Sequence, residues 1–169
     1  MNGHLQEMFR SWQGEGPYAG VRQIFVRLSG CHLRCHYCDT PESWERSDAW
    51  SLEGNPRPNP VAPGEVASIV REWSSAERFH SVSFTGGEPV LQPDFLRELA
   101  VEVRSLGLLT YLDSGGTLAD RLAKVAGVID IFALDYKLPS TPGVRFDRQD
   151  VGRCMEIARG RGFVKIVTT

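Results

Sequence analysis

The sequence predicts an α/β protein, an incomplete TIM-like βα barrel, on three observations. Short apolar, β-branched runs alternate along the chain with stretches of helical periodicity, which implies right-handed βα units and a parallel sheet. Nearly every strand-like run passes into a polar or glycine-rich segment that carries the residues with chemical potential. In parallel barrels that face builds the active site. The rival architecture, a doubly wound open sheet, would want G-x-G-x-x-G after the first such strand, where cysteines stand instead.

Taken in order, Leu5–Trp12 alternates weakly between apolar and polar residues and is expected to pair with the strand that follows. Gln13-Gly14-Glu15-Gly16-Pro17 reads as a polar turn, and Gln23–Leu28 as a buried strand that runs through Ser29-Gly30 into a cysteine loop. Ser43–Pro63, with four prolines and little periodicity, is expected to be an irregular surface insertion. Pro63 then opens a helix in which Val66, Ile69, Val70 and Trp73 recur at i, i+3, i+4 and i+7. Ser81–Phe84 is a strand, and Asp94–Ser105 a helix with Phe95, Leu96, Leu99 and Val103 inward, closed by Gly107. Leu108–Leu112 is a strand and is followed by a helix to about Ala126. Val128–Leu134 is another strand, 147–161 a helix, and Phe163–Val167 a last strand, expected to be buried on both faces as parallel strands are. Only Thr168 and Thr169 follow it. The expectation is therefore one domain over 1–169 that lacks its C-terminal end, with an apolar strand surface left bare.

Composition narrows the class further. A chain of 169 residues suffices for one domain with its own core, and 41% hydrophobic with 24% charged residues suits a soluble globular protein. The formal net charge of −2 and the lack of a basic block argue against nucleic acid and anionic membranes as partners. No apolar run is long enough to span a bilayer, and Met1–Glu7 has no basic stretch leading into an apolar one. Four cysteines, three of them clustered, fit a reducing, cytoplasmic setting and cofactor ligation rather than disulfides. The fourth, Cys154, lies in a helical pattern and reads as a small buried hydrophobe.

Cys31, Cys35 and Cys38 stand at spacing C-x3-C-x2-C. Three is one short of the four ligands that close a structural zinc or a standard iron–sulfur site. A four-iron cluster on three thiolates keeps one iron free to bind a small molecule. Zinc, with His32 or His36 as fourth ligand, and a thiol-redox Cys-x-x-Cys are the competing readings. Tyr37, just before the third cysteine, would shield a cluster and lie along an adenine. Thr85-Gly86-Gly87-Glu88-Pro89 follows a strand. It is either a plain tight turn or a cradle in which Gly86 and Gly87 offer carbonyls, and Glu88 a carboxylate, to an amino-acid ammonium. Asp113 and Ser114 either cap the next helix or hydrogen-bond the polar groups of a ligand. Asp135 and Lys137, in the segment 135–140, either form a local ion pair at a barrel rim or line a cofactor pocket.

These motifs resemble those of radical S-adenosylmethionine (SAM) enzymes. With Phe9–Pro17 and Val26–Cys31 added, nearly the whole chain resembles the 7-carboxy-7-deazaguanine synthase family, most specifically at residues 13–16 and 38–40. The resemblance implies a partial barrel of the radical SAM type. It implies a lyase that converts 6-carboxy-5,6,7,8-tetrahydropterin to 7-carboxy-7-deazaguanine with ring contraction and loss of ammonia, in queuosine and other 7-deazapurine biosynthesis. Its cofactors would be a [4Fe-4S] cluster on Cys31, Cys35 and Cys38, SAM cleaved to a 5′-deoxyadenosyl radical, and Mg2+ beside Thr40. Trp12, Gln13, Gly14, Glu15, Arg27 and Thr85 would contact the pterin, with Arg27 on its carboxylate. Tyr37, Gly86, Gly87, Glu88, Asp113, Ser114, Asp135 and Lys137 would line the SAM pocket. Gly115 stands where the family often carries Asn. The implied partners are a flavodoxin- or ferredoxin-type electron donor and a second copy of the chain. A glycyl-radical activase and a non-catalytic iron–sulfur or zinc module are the alternatives; the first gives no reason for Gln13-Gly14-Glu15-Gly16, and the second would not need Gly86-Gly87-Glu88 or Asp113-Ser114.

Overall fold

The computed structural model describes residues 1–138 and 145–167. Pro139 and Ser140, the end of the segment that starts at Asp135, lie outside them, as do Thr168 and Thr169. Among the described residues eight strands form a single sheet: β1 (Leu5–Trp12), β2 (Arg22–Leu28), β3 (Ala49–Leu52), β4 (Asn55–Pro58), β5 (Ser81–Gly86), β6 (Leu109–Ser114), β7 (Ile131–Lys137) and β8 (Gly162–Val167). Their order is β4-β3-β1-β2-β5-β6-β7-β8. From β2 onward the neighbours follow chain order in one direction and pair in parallel. A doubly wound sheet would reverse its order at a switch point. Without a reversal, right-handed crossovers put every helix on the same face, and the sheet curls as an open portion of a barrel.

That face is where α1 (Pro63–Ala76), α2 (Pro93–Ser105), α3 (Ala119–Val125) and α4 (Arg148–Ala158) pack. Val66, Val70 and Trp73 of α1 join Phe95, Leu96, Leu99 and Val103 of α2 in one core with Ile24, Val26, Val82, Phe84, Leu112 and Phe132 of the strands. Burying a Leu- or Phe-sized side chain contributes about 1.5–3 kcal/mol, so this layer dominates stability. Gly107, at φ +78°, ends α2 in the left-handed conformation that a side chain resists. Asp147 caps α4 by accepting from the Gln149 backbone N–H at 2.8 Å. Cys154 is fully buried in the same layer, and burial pushes its thiol up to about 11.

Two expectations change. Residues 43–63 are not irregular: β3 and β4 form an antiparallel hairpin that extends the sheet beside β1. Glu53 and Gly54 both have positive φ, as a type I′ turn requires. Pro56 and Pro58 fall on β4, an edge strand, where a missing N–H costs nothing. Trp50 is buried and donates its indole N–H to the Pro58 carbonyl. Strand β7 begins three residues later than expected, because 126–128 form a 3-10 turn and Asp130 then binds the Thr110 N–H and hydroxyl. On β8 one apolar face is bare. Phe163 and Lys165 face inward, while Val164 and Ile166 are 44% and 66% exposed on the side where no helix among the described residues covers them.

Candidate active site

Side chains on a strand alternate between faces, so the residues facing away from the helices form a second row. On β2 these are Phe25 and Arg27, on β5 Thr85, on β6 Tyr111 and Asp113, on β7 Asp135 and Lys137, and on β8 Phe163 and Lys165. Register brings the polar ones together: Arg27 lies opposite Thr85, and Asp135 opposite Lys165. They surround a cavity of about 670 Å3 on the concave face. Every residue assigned above to the cluster, Mg2+, SAM or the pterin lines it, from Trp12 through Lys137. The structure adds Phe9, Phe25 and Lys165. Phe9 and Phe25 are a stacked cross-strand pair with centroids 5.0 Å apart, and the Arg27 guanidinium lies over Phe9.

One end of the cavity is the cysteine loop. It leaves β2 at Gly30, and residues 43–44 hold it in place: Gly30 N–H donates to Ser43 O at 2.8 Å, and Cys31 N–H to Trp44 O at 2.9 Å. Arg34 ties the loop to itself by donating to Cys31 O and Leu33 O, and its guanidinium lies over Trp44. All three thiols are free, and Cys31 Sγ accepts from Leu33 N–H at 3.4 Å. Among the described residues no three His, Cys, Asp or Glu side chains converge on one point as a single ion demands. A four-iron cubane gives each thiolate its own iron, so three spaced thiols on one wall fit it. His32, a potential fourth zinc ligand, instead pairs its Nε2 with Thr117 Oγ1 at 2.8 Å, and His36 is exposed.

Gly86 and Gly87 lie where β5 runs out beside this loop. A Cβ on Gly86 would come within 2.2 Å of Leu28 O, and one on Gly87 within 2.4 Å of Gly30 O. The glycines are therefore required by the chain's own backbone, which packs directly against the strand that delivers Cys31. Glu88 is buried, and its carboxylate is engaged: it accepts from Ser114 Oγ and Gly115 N–H at 2.9 Å each. Burial pushes it up to about 7, partly opposed by those hydrogen bonds. A carboxyl raised in the folded state binds its proton there while the unfolded chain has already lost it. Stability of the cofactor-free protein should therefore be greatest below the unfolded value of 4.5 and fall as pH rises to about 7, by on the order of 3 kcal/mol from this group. Glu88→Gln should flatten that slope in urea titrations across pH, and an unchanged slope would refute the assignment.

The other end is the β1–β2 turn. Gln13 is buried and its amide is spent internally: Nε2 donates to Gln23 Oε1 at 2.9 Å, and Oε1 accepts the Glu15 N–H at 3.0 Å. Gln13 shapes the turn, while Trp12, 63% exposed, and Glu15 extend from it. Arg27 donates its Nε to Glu7 at 2.8 Å. Between the ends lies a charge network. Lys165 meets Asp113 at 2.9 Å, Glu15 at 2.8 Å and Asp135 at 3.2 Å, and Lys137 meets Asp135 at 2.7 Å and Tyr37 Oη at 3.4 Å. Burial drives Asp113 upward against the pull of Lys165, and the facing carboxylates hold both lysines above their ordinary value despite burial. Thr85 Oγ1 donates to Asp113 at 3.4 Å, and Thr40 Oγ1 to Asp39 at 3.1 Å. Lys165 escaped the sequence reading; its signal was a single cation at an inward position of an apolar strand.

A partial parallel barrel with three free cysteines beyond its first parallel strand is the architecture of a radical SAM protein, and the Radical SAM superfamily model matches residues 25–169. The 7-carboxy-7-deazaguanine synthase of Geobacter sulfurreducens is 38% identical over 96% of this chain and 68% of its own length. The enzyme of that name from Archaeoglobus fulgidus is 38% identical over 99% of this chain and 72% of its own. The chain belongs to the 7-carboxy-7-deazaguanine synthase family of radical SAM enzymes. Its share of other relatives of that name ranges from 42% to 73% of their length. The crystal structure of QueE from Escherichia coli has the same fold, with a TM-score of 0.59 at 19% identity, covering all of this chain and 95% of that one.

Proposed function

We propose that this chain converts 6-carboxy-5,6,7,8-tetrahydropterin to 7-carboxy-7-deazaguanine by radical ring contraction with loss of ammonia, a step of queuosine and 7-deazapurine biosynthesis. The observation that carries the reading is one polar cavity with two different ends: three uncommitted thiols at one, and Arg27, Glu15 and Trp12 at the other. Cys31, Cys35 and Cys38 would hold the [4Fe-4S] cluster, and with bound SAM it supplies the radical that abstracts hydrogen. Tyr37, the carbonyls of Gly86 and Gly87, Glu88, Asp113, Ser114, Asp135 and Lys137 would surround SAM. Ser114 and the Gly115 N–H orient Glu88, and Lys137 holds Asp135, so neither carboxylate faces the ligand unanchored.

At the other end Arg27 would pair its terminal nitrogens with the substrate carboxylate while Nε stays on Glu7. Trp12, Gly14, Glu15 and Thr85 would frame the bicyclic ring, with Gln13 shaping the turn behind them. The stacked Phe9–Phe25 pair offers a flat apolar wall. Thr40, beside Asp39 on the cavity wall, would take Mg2+, a cation that prefers oxygen and keeps few protein ligands.

A flavodoxin- or ferredoxin-type protein would deliver the electron. A second copy of the chain would cover Val164 and Ile166 on the outer face of β8. Four unpaired cysteines favour the cytoplasm, and no helix among the described residues is long and apolar enough to cross a membrane. The test is SAM cleavage by the anaerobically reconstituted protein, with and without the carboxypterin. The expected result is carboxypterin-dependent formation of 7-carboxy-7-deazaguanine, with SAM re-used. SAM cleavage indifferent to the pterin would overturn the reading.

A further inference from the structure

The β1–β2 turn reaches across the concave face to the far edge of the sheet, and three contacts anchor it on β8. Gly16, at φ +62°, lies flat on the Phe163 ring, where a Cβ would come within 2.2 Å of a ring carbon. Tyr18 packs between Phe163 and Tyr111, with centroids 6.1 and 5.9 Å away. Glu15 spans 150 residues of sequence to reach Lys165 Nζ at 2.8 Å. An exposed carboxylate alone would not hold one geometry, since a surface ion pair gains little over the entropy it costs. Lys165 is different. It is 20% exposed, and Asp113 and Asp135 fix its ammonium from the opposite side. A continuous series of contacts thus runs from Glu15 through Lys165, Asp135 and Lys137 to Tyr37, beside the cysteine loop.

We propose that Lys165 is a positioning residue that fixes the Glu15 carboxylate and the 13–16 turn in the geometry that receives the pterin, and joins that turn to the SAM-facing Asp113 and Asp135. Fixing the turn before the substrate arrives removes an ordering cost from binding, so its loss should appear in substrate affinity. The inference rests on Glu15 contacting the pterin, but its first readout does not.

That readout is hydrogen exchange of the backbone amides of residues 13–20 in the full-length, reconstituted protein without substrate. Lys165→Met should speed exchange there about tenfold or more, Lys165→Arg should restore much of the protection, and the Trp73 region of α1 should not change. Glu15→Gln cuts the same contact from the exposed side without touching Asp113 or Asp135, and it should release the turn equally if Lys165→Met fails to fold. In turnover, Lys165→Met and Glu15→Gln should each raise KM for the carboxypterin about tenfold or more, with kcat less affected. The double variant should be no worse than the more impaired single one, because both cut the Glu15–Lys165 pair. Unchanged exchange at 13–20 in Glu15→Gln, or additive effects on KM, would overturn the proposal. If the unaltered protein ignores the pterin, the functional reading falls, while the exchange result still decides the anchoring.

Discussion

Replacing Cys31, Cys35 or Cys38 with alanine is expected to remove the iron–sulfur cluster and all turnover, while Cys154→Ala keeps both. The four thiols are free alike, so the distinction rests on place. The three clustered ones line the cavity on the concave face, in a loop whose backbone is held by Ser43, Trp44 and Arg34. A cluster on three thiolates has none to spare, and its fourth iron must stay open for SAM. Cys154 lies across the sheet in the helical layer with its thiol pushed up to about 11, the environment of an inert buried sulfhydryl. Iron and sulfide counts on anaerobically reconstituted single variants decide the matter. The expected content is about four irons per chain for Cys154→Ala and close to none for the other three. A Cys35→Ala protein with a full complement would sink the assignment.

What was legible in the sequence was local. The cysteine spacing, Gly86-Gly87-Glu88 and Asp113-Ser114 each sit within a few residues, and the alternation of strands and helices placed them on one face before any coordinates. One reason for the glycines was not legible: the space of a side chain there is taken by Leu28 O and Gly30 O, where the chain packs against the start of the cysteine loop. The hairpin at 49–58 was missed because prolines read as breakers, and only the edge position of β4 makes them harmless. Lys165 was missed because its partners lie 150, 52 and 30 residues away along the chain. No local pattern announces a contact that only closure of the sheet creates. Its one trace was a charge in Phe163-Val164-Lys165-Ile166-Val167, read as part of a buried strand when it marked the inward face.

Arg27→Ala should cost at least about 30-fold in kcat/KM for the carboxypterin while SAM binding persists. Arg27 is 18% exposed on a strand whose other face, Ile24, Val26 and Leu28, is fully buried in the core. An ion pair with Glu7 accounts for one nitrogen, since Nε donates to it at 2.8 Å. At that exposure the pair contributes less than about 1 kcal/mol, too little to explain a guanidinium aimed at a cavity. The fork leaves its terminal nitrogens for a second carboxylate, a geometry that an ammonium cannot reproduce on two partners at once. Breaking a charge pair closed off from water costs about 2–5 kcal/mol, and 2 kcal/mol is roughly 30-fold. Arg27→Lys should therefore recover only part of the loss. Glu7→Gln separates the two roles: it should leave kcat/KM within a few-fold of the unaltered protein, because the guanidinium stays in the cavity. A Glu7→Gln loss as large as that of Arg27→Ala would make Arg27 a partner of Glu7 and nothing more. Unchanged turnover in Arg27→Ala would remove it from the substrate site altogether.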